Sequence, residues 1–124
     1  MNNQFLLIIT LLSNFSIGCF QNQKIMNSYV IEITTFKYNV DVDSNRFWES
    51  DKEIETNYTS KQPGFISRES AFSENDNEIV VVARWETQAN AEASMKKFMT
   101  DTSVQDYVQM IDGKSMKMTR YQMK

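Results

Sequence analysis

The stretch Glu78 to Glu86, EIVVVARWE, decides the architecture. Its alternation puts Ile79, Val81, Ala83 and Trp85 on one face, and Val80, Val82, Arg84 and Glu86 on the other. The unbroken apolar run Ile79 to Ala83 implies cover on both faces, so this strand belongs in the middle of a sheet. Just before it, Glu74-Asn75-Asp76-Asn77 is a hairpin turn, and Phe65 to Ser73 (FISRESAFS) is the partner strand. Gln62-Pro63-Gly64 divides that strand from a helix capped at Asp43 or Ser44. In this helix Phe47, Ile54 and Tyr58, with Trp48 beside them, recur at helical spacing through Ser60. Ser28 to Tyr38 (SYVIEITTFKY) is dense in β-branched and aromatic residues and reads as the first strand.

On the other side of the central strand, Thr87 caps a second helix that runs to about Met99. Its apolar stripe is Ala91, Met95, Phe98 and Met99. Thr102 to Gln105 has a capping-box pattern and starts a short third helix with Val104, Tyr107, Val108 and Ile111 on one face. Asp112-Gly113 is expected to stop it, and Lys114 to Met123 alternates as a fourth strand. The order β-α-β-β-α-(α)-β predicts an α+β, ferredoxin-like fold, an antiparallel four-stranded sheet with helices on one face. The other face also carries apolar side chains. A second copy is the simplest cover, so a homodimer is expected.

Composition excludes more than it proposes. A chain of 124 residues holds one domain. Net charge is −3 and the 13 Lys and Arg are scattered, which disfavours nucleic acid and an anionic membrane surface as partners. With no His, the commonest metal ligand and the commonest neutral-pH base are missing. One Cys, Cys19, allows neither an intrachain disulfide nor a zinc–thiolate cluster.

The apolar run Phe5 to Leu12 is too short to span a bilayer and suits the core of an export signal. Ser16-Ile17-Gly18 before Cys19 resembles a bacterial lipoprotein signal, in which cleavage precedes a lipidated Cys. Residues 1–18 are therefore expected to be a signal peptide and 19–27 a tether, leaving 28–124 as the folded domain. The protein would be exported, either periplasmic or membrane-anchored, and would touch the membrane only through lipid on Cys19.

Gln62-Pro63-Gly64-Phe65-Ile66-Ser67, the hairpin, and Val81-Val82-Ala83-Arg84-Trp85-Glu86-Thr87 before an Ala-rich helix resemble the antibiotic biosynthesis monooxygenase family. The resemblance covers roughly residues 28 to 123. It implies the dimeric α/β barrel, in which the sheets of two copies close around a cavity. It also implies a monooxygenase that needs no cofactor and acts on small aromatic or phenolic substrates. Haem-degrading members carry a His on the second helix; Ser94, Met95 and Lys96 occupy that region here, so haem is not expected.

Trp85 is the first candidate catalytic residue, able to stack on a planar substrate and donate its N–H, or else to serve as a core aromatic. Arg84 could hold a substrate oxyanion or simply form a surface or dimer ion pair. Arg68, on the second strand, carries the same two readings as Arg84 with a weaker case, and Tyr38, Tyr58 and Trp48 could line a ligand pocket or simply pack helix against sheet. The eight Met residues read as core filler rather than metal ligands. The alternative to an enzyme is a non-catalytic dimeric barrel, either holding a small apolar ligand or purely structural.

Overall fold

The structure, a computed structural model, describes residues 28–124. The expected signal peptide, Cys19 and the tether lie outside the described residues. The elements are β1 (Val30–Tyr38), α1 (Ser44–Asn57), β2 (Phe65–Ser73), β3 (Glu78–Trp85), α2 (Gln88–Phe98), α3 (Gln105–Met110) and β4 (Ile111–Gln122). Short 3-10 turns at Thr59–Lys61 and Thr102–Val104 follow α1 and precede α3. The strands form one four-stranded sheet in the order β2-β3-β1-β4, antiparallel throughout. This is the ferredoxin-like arrangement, with β3 and β1 central.

Local chemistry explains the boundaries. The Asp43 carboxylate accepts from the Arg46 amide at 3.0 Å and opens α1. Thr87 does the same for α2 through the Asn90 amide at 3.1 Å. In the hairpin Asn77 takes φ 50°, a left-handed value that Asn tolerates. Gly64 sits at φ +76°, and a Cβ there would stand 2.3 Å from Asn90 Cγ, so the turn before β2 packs directly against the start of α2.

Two details near the C-terminus differ from expectation. The cap of the last helical segment is Asp101, whose carboxylate accepts from the Ser103 amide at 2.9 Å, one residue ahead of the expected Thr102. A charged acceptor outcompetes a hydroxyl. The helix then ends at Met110, and β4 starts at Ile111 with no residue between them. Asp112-Gly113 does not terminate the helix but sits in a register shift of β4 opposite Thr35/Lys37. There Ser115 Oγ accepts from the Lys37 amide at 2.8 Å and donates to the Asp112 carbonyl at 2.6 Å, so the turn residues make a bulge. Asn39 clamps the junction, its amide donating to the Met110 carbonyl and its side chain to the Gln109 carbonyl at 2.9 Å.

The faces of the sheet have different lives. Val30, Glu32, Thr34 and Phe36 of β1 are buried under the helices, with Ile79, Ala83 and Trp85 of β3. On the reverse face Ile31, Ile33, Val80 and Val82 stay half-buried beside Arg84, and Tyr121 is exposed. The core under the helices is divided. A larger cluster gathers Phe36, Phe47, Ile54, Tyr58, Ile79, Tyr107 and Met110, and a smaller one gathers Val30, Ala83, Trp85 and Ala91. Small domains usually have one contiguous core. The interruption marks the site.

Candidate functional site

Between the two clusters lies a half-open cavity of about 240 Å³, formed within one chain between sheet and helices. The resemblance implied a cavity closed by the sheets of two copies; this one is on the opposite, helix-covered face. Its floor follows from strand register. Arg68 pairs with Ala83, Ala83 with Glu32, and Glu32 with Arg120, so these four residues form one row across the sheet. Neighbouring strands are about 4.8 Å apart, which puts Arg68 and Glu32 roughly 10 Å apart with Ala83 between them. A methyl group there leaves the floor low. Next along, Trp85 pairs with Val30 and closes that end. The roof comes from Ile54 and Tyr58 at the end of α1, Ser94, Met95 and Phe98 of α2, and Tyr107 of α3. Met99, which is 53% exposed, and Gly113 and Met116 of β4 stand toward the rim.

One end of the charged row is closed on itself. Arg68 donates from Nη2 to Asp51 Oδ1 at 2.6 Å and from Nη1 to Oδ2 at 3.1 Å, a two-pronged pair with both side chains almost fully buried. Tyr107 donates to the same Oδ1 at 2.7 Å. Burial pushes the Asp51 carboxyl up, but hydrogen bonds and charge from Arg68, with the Tyr107 hydroxyl, hold it below its ordinary value. Burial pulls Arg68 down, and Asp51 more than compensates, so the guanidinium is held more firmly charged. Burial and the Asp51 charge push the Tyr107 hydroxyl far up, keeping it a neutral donor. The cluster joins α1, β2 and α3 at the cavity wall.

The other end is left open. Trp85 is 2% exposed and packs edge-on against Phe65, yet its Nε1 has no hydrogen-bond partner among the described residues. A buried unpaired N–H costs free energy unless something occupies it. Glu32 receives Arg120 Nε at Oε2, 2.6 Å away, with the carboxylate buried and Arg120 partly exposed.

Of the residues singled out by sequence, Trp85, Arg68 and Tyr58 line the cavity. The Tyr58 hydroxyl donates to the Ser94 carbonyl at 3.4 Å, and burial followed by the Asp101 charge raises its pKa. Arg84 stands on the reverse face, 3.6 Å from Glu69 and 3.3 Å from Ser67 Oγ, because its register neighbours Ser67 and Ile31 share that face. Tyr38 and Trp48 pack on Phe47 in the larger cluster, outside the lining. Of the methionines, Met110 is core filler, whereas Met95, Met99 and Met116 flank the cavity. Asp51 and Tyr107 were not anticipated. The signal was there: Asp51 occupies a position in the stripe Phe47, Asp51, Ile54, Tyr58, where a carboxylate must find a partner. Among the described residues, no group of three or more Cys, Asp or Glu side chains is placed to hold a metal ion.

No model of a known protein family and no curated protein matches this chain. Solved structures do. A variant of SnoaB, a cofactor-independent oxygenase from Streptomyces nogalater, superposes with a TM-score of 0.60 at 13% identity, over 75% of this chain and 90% of that one. A candidate antibiotic biosynthesis monooxygenase from Nitrosomonas europaea gives 0.60 at 18% identity, over 77% and 88%. A conserved protein of unknown function from Bacteroides thetaiotaomicron gives 0.58 at 16%, over 77% and 98%. These likenesses span the described domain. The chain has the fold of the antibiotic biosynthesis monooxygenase-like proteins.

Proposed function

We propose that this protein is a monooxygenase without a bound cofactor, acting on a small aromatic phenol held in the cavity. The observation that carries the reading is the buried, unpartnered indole N–H of Trp85, a lining residue of a largely apolar cavity. A flat ring body would fill the gap between the two core clusters and rest on the Ala83 floor. Trp85 would stack beside it and donate to an oxygen on which negative charge grows as the substrate loses a proton. With a substrate as electron-rich as an anthrone, no further reductant is needed. The ring methylene and O2 give a ring carbonyl and water, all four electrons coming from the carbon. The protein's part is to orient the ring, exclude water and stabilise the anion. The SnoaB likeness supports the general class. At about 240 Å³ the cavity falls below the ~300–1,000 Å³ of drug-sized ligand sites, which favours a compact substrate.

Oxygen uptake with a phenolic anthrone tests this. Uptake above the uncatalysed rate is expected, falling about a hundredfold in Trp85→Phe, as for loss of one donor to a developing oxyanion. Uptake that Trp85→Phe leaves unchanged would end the reading.

A second reading, a ligand-binding domain without turnover, is favoured by the Arg68–Asp51–Tyr107 cluster, whose groups satisfy one another and leave no acid or base poised there near neutral pH. Native mass spectrometry of protein purified from cells would then find a retained, unconverted ligand. Under either reading a second copy covering Ile31, Ile33, Val80 and Val82 is proposed, supported by their half-exposed apolar side chains. Sedimentation of residues 28–124 as a monomer at high concentration would exclude it.

A further inference from the structure

Among the described residues lining the cavity, Glu32 is the only acid. It stands on the helix-covered face of a central strand, where an apolar residue would be expected, and is 6% exposed. Arg120 engages Oε2 from the neighbouring strand, and no hydrogen bond reaches Oε1 from any described residue. The cation across the floor does not answer it, because Arg68 is already bound at two points by Asp51. Trp85 lies diagonally across the register from Glu32, since Trp85 pairs with Val30 and Glu32 with Ala83. Such diagonal neighbours are about 7–8 Å apart. The same end of the cavity wall therefore carries an acceptor with no hydrogen bond, Glu32 Oε1, and, diagonally from it, the buried and unpartnered N–H of Trp85.

We propose that Glu32 sets the ligand class: it accepts a hydrogen bond from a hydroxyl on an uncharged aromatic ligand and turns aromatic carboxylates away. This rests on the cavity being an aromatic-ligand site. A hydroxyl placed against Oε1 completes the carboxylate's hydrogen bonding, and a hydrogen bond to an ionised acceptor is stronger than one between neutral groups. An ether of the same ring has no proton to give. A ligand carboxylate would face Glu32 with like charge in a largely apolar cavity, where charges are screened less than in bulk water.

Binding of 2-naphthol, 2-methoxynaphthalene and 2-naphthoate to the 28–124 domain, followed by calorimetry or tryptophan fluorescence, decides the matter. The unaltered protein is expected to bind 2-naphthol about tenfold more tightly than the ether, and 2-naphthoate more weakly than either. In Glu32→Gln the naphthol-to-ether ratio should fall to about threefold or less, and 2-naphthoate should gain affinity. Because the ratio is taken within one variant, a general loosening of the fold moves both ligands and leaves it intact. Should that variant not fold, Glu32→Gln with Arg120→Gln replaces the ion pair by an uncharged hydrogen-bonded pair and carries the same comparison. Equal affinity for naphthol and ether in the unaltered protein, or a ratio that Glu32→Gln does not change, would overturn the role of Glu32 and leave the aromatic site standing. Failure of both naphthol and ether to bind the unaltered protein would overturn the site and this proposal together.

Discussion

The two ends of the cavity use buried polar groups in opposite ways. At the Arg68 end, Asp51, Arg68 and Tyr107 are buried together and consume one another's hydrogen-bonding capacity. At the Trp85 end, an indole N–H is buried with no partner, and Glu32 has one oxygen engaged. The difference separates structure from function within a single cavity. A satisfied network fixes its elements and offers a ligand little, whereas an unsatisfied donor is a standing cost that only an occupant relieves.

The largest effect is expected at the closed end. Asp51→Ala strands the Arg68 charge in the interior and should lower stability by about 3–5 kcal/mol in urea unfolding. A loss under about 1 kcal/mol, as for a surface pair, would erase the distinction. The same end should govern pH dependence. Asp51 is held below the ordinary 3.8, so its contribution is fully present above that pH and disappears as pH falls through the lower folded value. Tyr107 is raised above 10.0, so its contribution is present below that pH and is lost as pH rises toward the folded value. Stability profiles of Asp51→Asn and Tyr107→Phe should each flatten one limb, acid and alkaline respectively. At the open end, Trp85→Phe should cost only roughly 1–2 kcal/mol of stability, since lost ring volume is partly offset by removing an unpaired donor. Its main effect should be on ligand affinity. Smallest of all, Arg84→Ala on the reverse face should change stability by less than about 1 kcal/mol and leave ligand binding untouched. Weakened binding in this variant would place the ligand on the wrong side of the sheet.

Sequence alone disclosed the order of elements, the central place of Glu78 to Glu86 and the strand that ends in Trp85, because hydrophobic period and turn chemistry are local properties. It also showed which side chains share a face of each strand. It did not show which face holds the cavity, since Ile79, Val81 and Ala83 are as apolar as Val80 and Val82. Only the helices decide that, by covering one side and leaving a gap over Ala83. Arg84 and Arg68 illustrate the limit. Both are arginines in strands; alternation already sets Arg84 opposite Trp85, whereas the face of Arg68 follows only from its pairing with Ala83. Asp51 was hidden differently, as one charge among many in a helix otherwise polar, recognisable only when its position in the apolar stripe is counted.

The direct passage from α3 into β4 has a kinetic consequence. With no residue between Met110 and Ile111, and with Asn39 clamping the junction, this stretch has no joint about which a flap could swing. On that side of the cavity, movement past Met116 is expected to need only rotation within an unbranched thioether side chain, which takes picoseconds to nanoseconds rather than the microseconds or longer of a hinged closure. Stopped-flow mixing with an aromatic ligand should accordingly give a single phase whose rate rises linearly with concentration and never levels off.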